Sequence, residues 1–494
     1  MYKKDNHQFA FGDFNQPLGM KMDPNNRWVL KAATIPWDSI EDKYAALFPS
    51  NTGTVAKHLR MALGSLIIQK DYGCSDRRLI EEITENAYLQ YFIGLPGYSY
   101  IPPFVPPLLV EFRKRLTPEI LGDINEMIID YNKPKEPKDP PKSNLPGDGW
   151  KVIKPDDNNG TLIVDATCAP QNIRFPQDVN LLNEAREDLE KMASELVKGT
   201  EILMPRMYPQ KARKQYLHFV RSRKHSLKSI HKAIKAQLQF IRRDLAIIEG
   251  LMAKGLKLTG RQAKLLETVR KVYEQQKYMY DNGIHTVPDR IVSISQPYIR
   301  PIVRGKAAAP VEFGAKLDLS IADGLGRIEK ISFDAYNESE FLPDVIERYR
   351  QREGHYPERF LADKIYRNRK NLQYCKSKGI RLSGPGLGRH RKDAAIDRKI
   401  EYTDNADRVE VERSFRLSKR CYGLGKISTK LEETTGCSIV LSILAMNIDR
   451  LANVSLCKLL AILFSRFQVE FRRNFHSGSG CLYLKGDLLI FAAT

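Results

Sequence analysis

Acidic residues are missing from one long stretch of this chain, and other absences narrow what it can be. The 7 cysteines among 494 residues are odd in number, scattered and without a CxxC pair. That argues against a disulfide framework or a zinc ribbon and fits a reducing compartment. The 9 histidines show no HExxH or paired-ligand spacing, so zinc has little support. No apolar run reaches the length of a bilayer span; the nearest, around Leu456 to Phe464, is interrupted by Lys458. Met1-Tyr2-Lys3-Lys4-Asp5-Asn6 leads into polar residues, without the apolar core of a signal peptide, which predicts a cytoplasmic protein. The glycine-rich run Gly384-Pro385-Gly386-Leu387-Gly388-Arg389 lacks the GK[ST] ending of a nucleotide-phosphate loop, so an ATP site is not expected there.

What is present is positive charge. A formal net charge of +20 favours a polyanionic partner, with nucleic acid ahead of a membrane surface. The charge concentrates between Pro205 and Arg243, which hold about a dozen Lys and Arg and no Asp or Glu. Arg221, Lys224, Lys228, Lys232 and Lys235 recur at three- and four-residue steps, a positive stripe on a helix. A charge run is usually a solvated face. One this long without an acid repels itself unless anions are near, which favours phosphate contact.

The length suits two or three domains. Residues 1–132 read as an N-terminal helical region. Thr54 to Gln69 has helical periodicity, Ser75 is placed to cap a helix through Ile83, and a short helix runs from Ala87 to Ile93. Helix, turn and helix with Lys57, His58, Arg60, Arg77 and Arg78 available suits a DNA-reading unit; the alternative is a helical bundle with solvated charges. Residues 133–159 form a Pro-rich linker, with Pro134, Pro137, Pro140, Pro141 and Pro146. Residues 160–470 read as an α/β domain with a helical insertion at 176–285, and the tail 471–494 carries no assignment. In the insertion, Asp178 is placed to cap one helix. A second helix carries a heptad-like seam of Leu227, Ile230, Ile234, Leu238, Ile241, Leu245 and Ile248. Thr259 and Gln262 form a capping box for its antiparallel partner, which ends at Asn282-Gly283.

The α/β domain begins at Thr161-Leu162-Ile163-Val164-Asp165-Ala166-Thr167, a buried strand with an acid expected at its C-terminal end. Val311 to Ile321 alternates apolar and polar residues, predicting a strand with one covered face; Ile331, Phe333 and Ala335 suggest its return. Helix, short strand Phe360 to Asp363, helix and strand Ile380 to Leu382 follow. A hairpin plus crossovers gives a mixed sheet with helices on its faces.

Two acids, Asp165 and Asp363, thus end apolar runs, whereas Asp334 reads as a surface position. In the helical stretch Asp407 to Lys419, Arg408, Glu412 and Lys419 fall at roughly 0°, 40° and 20°, one stripe, while Glu410 points roughly 160° away. Alone, Arg408 and Glu412 are an ordinary i, i+4 ion pair. Together, three acids suit two divalent metals roughly 3.5–4 Å apart, which activate a nucleophile and steady a leaving oxygen in phosphodiester chemistry. Mg²⁺ wants such oxygens.

At these residues the sequence resembles the DDE transposases of bacterial insertion sequences, in the branch often called IS-five-like. The resemblance is carried by Leu162 to Thr167; Ile302-Val303-Arg304-Gly305-Lys306 with Val311 to Lys316; Ala362-Asp363-Lys364-Ile365-Tyr366; and Arg408-x3-Glu412-x6-Lys419. Asn405 stands where the family's signature has Tyr. The resemblance implies an RNase H-like catalytic domain in which Asp165, Asp363 and Glu412 bind two Mg²⁺ (Mn²⁺ substituting), with Asp165 shared. It implies that Arg408, Lys419, Arg304 and Lys306 meet DNA, and that the N-terminal region helps recognise terminal inverted repeats. The activity implied is cleavage at the element's ends and strand transfer into target DNA, by a cytoplasmic, nucleoid-associated homodimer with no membrane partner. Two other readings stand beside it: an RNase H-like endonuclease or resolvase that cuts without joining, and a non-catalytic inverted-repeat DNA-binding protein.

Overall fold

A computed structural model describes residues 2–3, 11–15, 21–48, 55–134, 158–303, 311–384 and 394–475, the last without the side chains of 394–397 and 454–475. The Pro-rich linker falls largely, and Arg304 and Lys306 entirely, outside the described residues.

Among the described residues, seven α-helices form the N-terminal region: α1 (Arg27–Ala33), α2 (Trp37–Ala45), α3 (Leu59–Tyr72), α4 (Asp76–Glu85), α5 (Ala87–Phe92), α6 (Leu108–Arg115) and α7 (Pro118–Asn132). Ser75 caps α4 as expected, its side chain accepting from the Arg78 N–H. The α3 helix departs from the expected half-exposed pattern: every residue from Leu59 to Ile68 is buried. It is the axle of this region. Arg60 and His58 are therefore spent on structure. Arg60 donates to the carbonyls of Tyr91 and Phe92, and His58 lies beside Glu41.

After β1 (Thr161–Pro170) comes the insertion: α8 (Asp178–Val197), α9 (Pro209–Arg221), α10 (Leu227–Ala253) and α11 (Gly260–Asn282). It has its own apolar core, in which Leu238, Ile241, Leu245 and Ile248 of α10 meet Leu182, Leu189 and Val269. The capping box at Thr259 and Gln262 is present, and Gly283 ends α11 in the left-handed conformation that glycine permits. The antiparallel pair is thus built as expected, but α8 packs along it and makes a bundle. Two details differ. Gln177, not Asp178, is the cap residue of α8; the Asp178 carboxylate instead binds Gln276 and Arg290. Leu227 stands outside the seam, 83% exposed.

The chain then gives β2 (Arg300–Val303), β3 (Val311–Ala322), β4 (Leu325–Ser332), α12 (Leu342–Glu353), β5 (Arg359–Leu361), α13 (Arg369–Ser377), β6 (Arg381–Leu382), α14 (Ala394–Cys421) and α15 (Glu432–Phe475). The sheet is mixed, ordered β2-β3-β1-β5-β6 with β4 also beside β3. β1 runs antiparallel to β3 and parallel to β5; β5 and β6 are parallel. Helices cover both faces. One face, with Ile163, Leu317 and Leu319, shares a continuous core with α14, α15 and the N-terminal helices, while the other, with Leu162, Val164 and Phe360, packs on α12 and α13.

The expectation of one covered face for β3 fails for this reason. A strand held between β1 and β4 under helices on both sides is buried all round, so Asp318 and Ser320 lie inside. The apolar start of α15, long enough to cross a bilayer by length and composition, is instead 83% buried against these elements.

Candidate active site

The strand β1 carries Asp165 in its middle, not at its end as its apolar run suggests. The opening comes from β5, whose register with β1 stops at Ile163↔Leu361. From there β1 continues to Pro170 paired with β3, and Asp165 faces Leu319 in that ladder. The Asp165 Oδ1 accepts the Ala166 N–H at 2.9 Å. Burial pushes its carboxyl up to about 6; Glu338 and Asp363 push the same way, against the Ala166 N–H and the Arg408 guanidinium.

Asp363 follows β5 after one intervening residue, Ala362. Its Oδ1 accepts the Lys364 N–H at 2.7 Å, capping the 3₁₀ turn Lys364–Tyr366. Arg408 on α14 reaches the same oxygen at 3.4 Å and lies 3.9 Å from Glu412 Oε1. One guanidinium therefore joins two of the three acids and bears on the third. The Asp363 and Glu412 side chains are 57% and 59% exposed, open to a ligand from solvent. Glu410 is turned away and pairs with Arg450 at 3.1 Å, as helical geometry requires. Lys419 lies near the end of α14, half-buried, and Asn405 is exposed on the same helix.

Among the described residues, no three His, Cys, Asp or Glu side chains stand close enough together to hold a metal ion. The donor chemistry nevertheless fits a hard cation. All three acids offer oxygens, and the charge on Asp165 is opposed by two neighbouring carboxylates that a cation would relieve.

Two acids escaped sequence reasoning. Glu338, in the 3₁₀ turn Glu338–Phe341 after β4, pairs with Lys316 of β3 at 2.6 Å and bears on Asp165. Asp318 is 1% exposed, and burial pushes its carboxyl up to about 7. The one sequence signal was the charged pair Lys316 and Asp318 inside a strand otherwise apolar on alternate positions. Asp334, the competitor, is a surface residue 3.8 Å from Arg300.

Of the basic residues, Arg221, Lys224, Lys228, Lys232 and Lys235 are all exposed, but they do not form the expected stripe on one helix: Arg221 ends α9, Lys224 lies in the break that follows, and only the last three run along α10. Beside them His231 stacks on Tyr280, ring centroids 4.1 Å apart. In the N-terminal region Arg77 is exposed, whereas Arg78 is held by Glu81 and Glu82 of its own helix.

Two family models match the chain. A Transposase DDE domain covers residues 360–449, which includes Asp363, Arg408, Glu412 and Lys419, and a Transposase domain (DUF772) covers residues 17–115, the N-terminal helices. No curated protein and no solved structure matches. The two matches lie where Asp363, Glu412 and the N-terminal helices stand, with Asp165 outside both, and together they support a DDE transposase of insertion-sequence type.

Proposed function

We propose that this transposase cleaves at the ends of its insertion sequence and joins them to target DNA, using divalent metal held by Asp165, Asp363 and Glu412. The observation that carries the reading is the meeting of Asp363 and Glu412 on Arg408, whose charge also reaches Asp165. Metal ions, Mg²⁺ by preference, would supply activation of the attacking oxygen and stabilisation of the leaving one. Asp165, on a strand fixed by its ladder with β3, gives the rigid position; Asp363 and Glu412 approach from solvent. Arg408 then exchanges its carboxylate partners for a phosphate oxygen, which its planar fork suits. Lys419, on the same helix, is a second proposed phosphate contact. No covalent enzyme intermediate is needed.

The sheet order, with β1 between antiparallel β3 and parallel β5, supports an RNase H-like catalytic domain, and the insertion after β1 supports the IS-five-like branch. The exposed basic run from Arg221 to Lys235 is the proposed DNA track of the insertion, and the N-terminal helices with Arg77 and Arg78 the proposed reader of terminal inverted repeats. Arg304 and Lys306 keep their proposed DNA role. Two ends must be brought together, which favours a homodimer.

The test is direct. With Mg²⁺, purified protein joins a labelled element end to plasmid DNA, and Asp165→Asn and Glu412→Gln abolish joining. Wild-type joining by either variant sinks the site assignment. Cleavage without a joined product favours the nuclease reading instead.

A further inference from the structure

A charged cavity lies away from the acids, between the N-terminal helices and the segment joining α14 to α15. It encloses about 470 Å³ and is lined by Lys70 and Asp76, Arg113, Lys426, Lys430 and Ser438, among others. Four basic side chains face one carboxylate, and that carboxylate is taken: Asp76 binds the Arg113 guanidinium at 2.5 and 3.1 Å. Among the described residues Lys70 has one hydrogen-bond partner, the Ser438 hydroxyl at 2.7 Å, leaving ammonium donors to spare. Burial holds the Lys70 amine down at about 7, and the nearby Arg113 pushes it the same way. Like charges crowded at the mouth and floor of a cavity repel unless an anion enters. Lys426 and Lys430 stand exposed at its mouth.

We propose that this cavity is a binding site for a phosphate of the DNA backbone, clamping DNA between the N-terminal region and the catalytic domain. Its size favours a phosphodiester with its sugar over a bare ion. Its walls give the bound phosphate a route to the active site. The segment bearing Lys426 folds back on the end of α14, with the Leu424 N–H donating to the Ser418 carbonyl at 3.0 Å. The same segment is stitched to the end of β1, Ile427 donating to Pro170 O at 2.9 Å and Asn172 donating to Ile427 O at 2.8 Å. A phosphate seated here touches the connection between the strand of Asp165 and the helix of Glu412. The inference rests on DNA being the substrate, as proposed above.

The experiment measures duplex binding by the full chain as a function of salt, for wild type, Lys70→Met and the surface double variant Lys426→Ala/Lys430→Ala. Each phosphate left without its cation lowers the slope of log K against log salt by ~0.9. We expect that decrease in Lys70→Met, and a wild-type affinity drop at one methylphosphonate position to which both variants have become insensitive. An unchanged slope in both variants overturns the site while leaving the transposase reading intact. Wild-type protein that binds no duplex overturns both. Stabilisation of wild type, but not of Lys70→Met, by millimolar inorganic phosphate with unchanged DNA slopes would assign the cavity to a free anion and overturn the DNA clamp. Asp165→Asn serves as control: it loses joining and keeps the wild-type slope.

Discussion

Replacing Asp165 by Asn is expected to stabilise the protein while destroying its activity, and the effect has a pH signature. Asp165 has its carboxyl raised to about 6 in the folded chain, from an ordinary value of 3.8, with burial as the largest cause. A carboxyl raised on folding binds its proton more tightly in the folded state, so the fold loses stability as pH climbs between those two values. The penalty is small below pH 4, roughly half developed near pH 5 and complete above pH 7. Its ceiling is ~3 kcal/mol, since each tenfold gain in proton affinity on folding is worth about 1.4 kcal/mol. Asn carries no charge, and its Oδ1 retains the bond from the Ala166 N–H, so the variant escapes the penalty at little structural cost. Chemical denaturation in EDTA should show Asp165→Asn more stable than wild type by ~2 kcal/mol at pH 8 and by clearly less at pH 5. Adding Mg²⁺ at pH 8 should then raise the midpoint of wild type alone, because a ligand stabilises only the state that binds it. A variant less stable than wild type at pH 8, or a difference independent of pH, would make Asp165 an acid that serves the fold.

Other outcomes are open to measurement. Glu410→Gln should leave joining near wild type, since Glu410 faces Arg450, while Glu412→Gln lowers it by a factor of ~10³ or more, one step of transition-state electrostatics. Gly314→Ala should cost ~3 kcal/mol in urea denaturation, because its Cβ would collide with the Ala169 carbonyl oxygen, across the ladder that positions Asp165. Neutralising Lys228, Lys232 and Lys235 together should lower the salt slope of DNA binding by ~0.9 for each phosphate these lysines neutralise, and should leave thermal stability unchanged because all three are exposed.

Much of this organisation is legible in the sequence because local chemistry dictates it. The run Leu162-Ile163-Val164 can hardly be anything but a buried strand, and Thr259 with Gln262 can cap only one helix start. The arc from Arg408 to Glu412 follows from helical pitch alone, and the same pitch sets Glu410 apart from it. What sequence could not supply was the neighbourhood. Asp165 reads as a strand end because its apolar run stops there, yet β1 continues, held by pairing with β3 through residues of no strong preference. Asp318 and Ser320 read as solvent-facing because alternation assumes one open face, and burial on both faces is decided by helices outside the strand, α12 after the hairpin and α14 far off in the chain. Glu338 has no local pattern at all. Arg60 looks available to DNA for the same reason: its carbonyl partners, Tyr91 and Phe92, lie on a helix that no spacing rule connects to it.

The place where β5 parts from β1 explains why the site lies where it does. A sheet interior has no room for charge, since each strand is flanked by hydrogen-bonded neighbours and covered by helices. Pairing between β1 and β5 lasts only from Thr161 to Ile163, so the position two residues on is the first at which an acid on β1 can look past the ladder. The strand that leaves brings Asp363 with it, because only Ala362 separates that residue from β5 and it caps the 3₁₀ turn that follows. Helix α14 packs across β1, β3 and β5 and brings Arg408 to Asp363, with Glu412 one turn further along. Asp165 and Asp363, distant in sequence, therefore need only one geometric event to face each other, and Arg408 holds Glu412 beside Asp363. Moving that event by a single residue pair would bury Asp165 under β5 or strand it from Asp363. The length of the short β1–β5 ladder is thus under tighter constraint than its apolar composition implies.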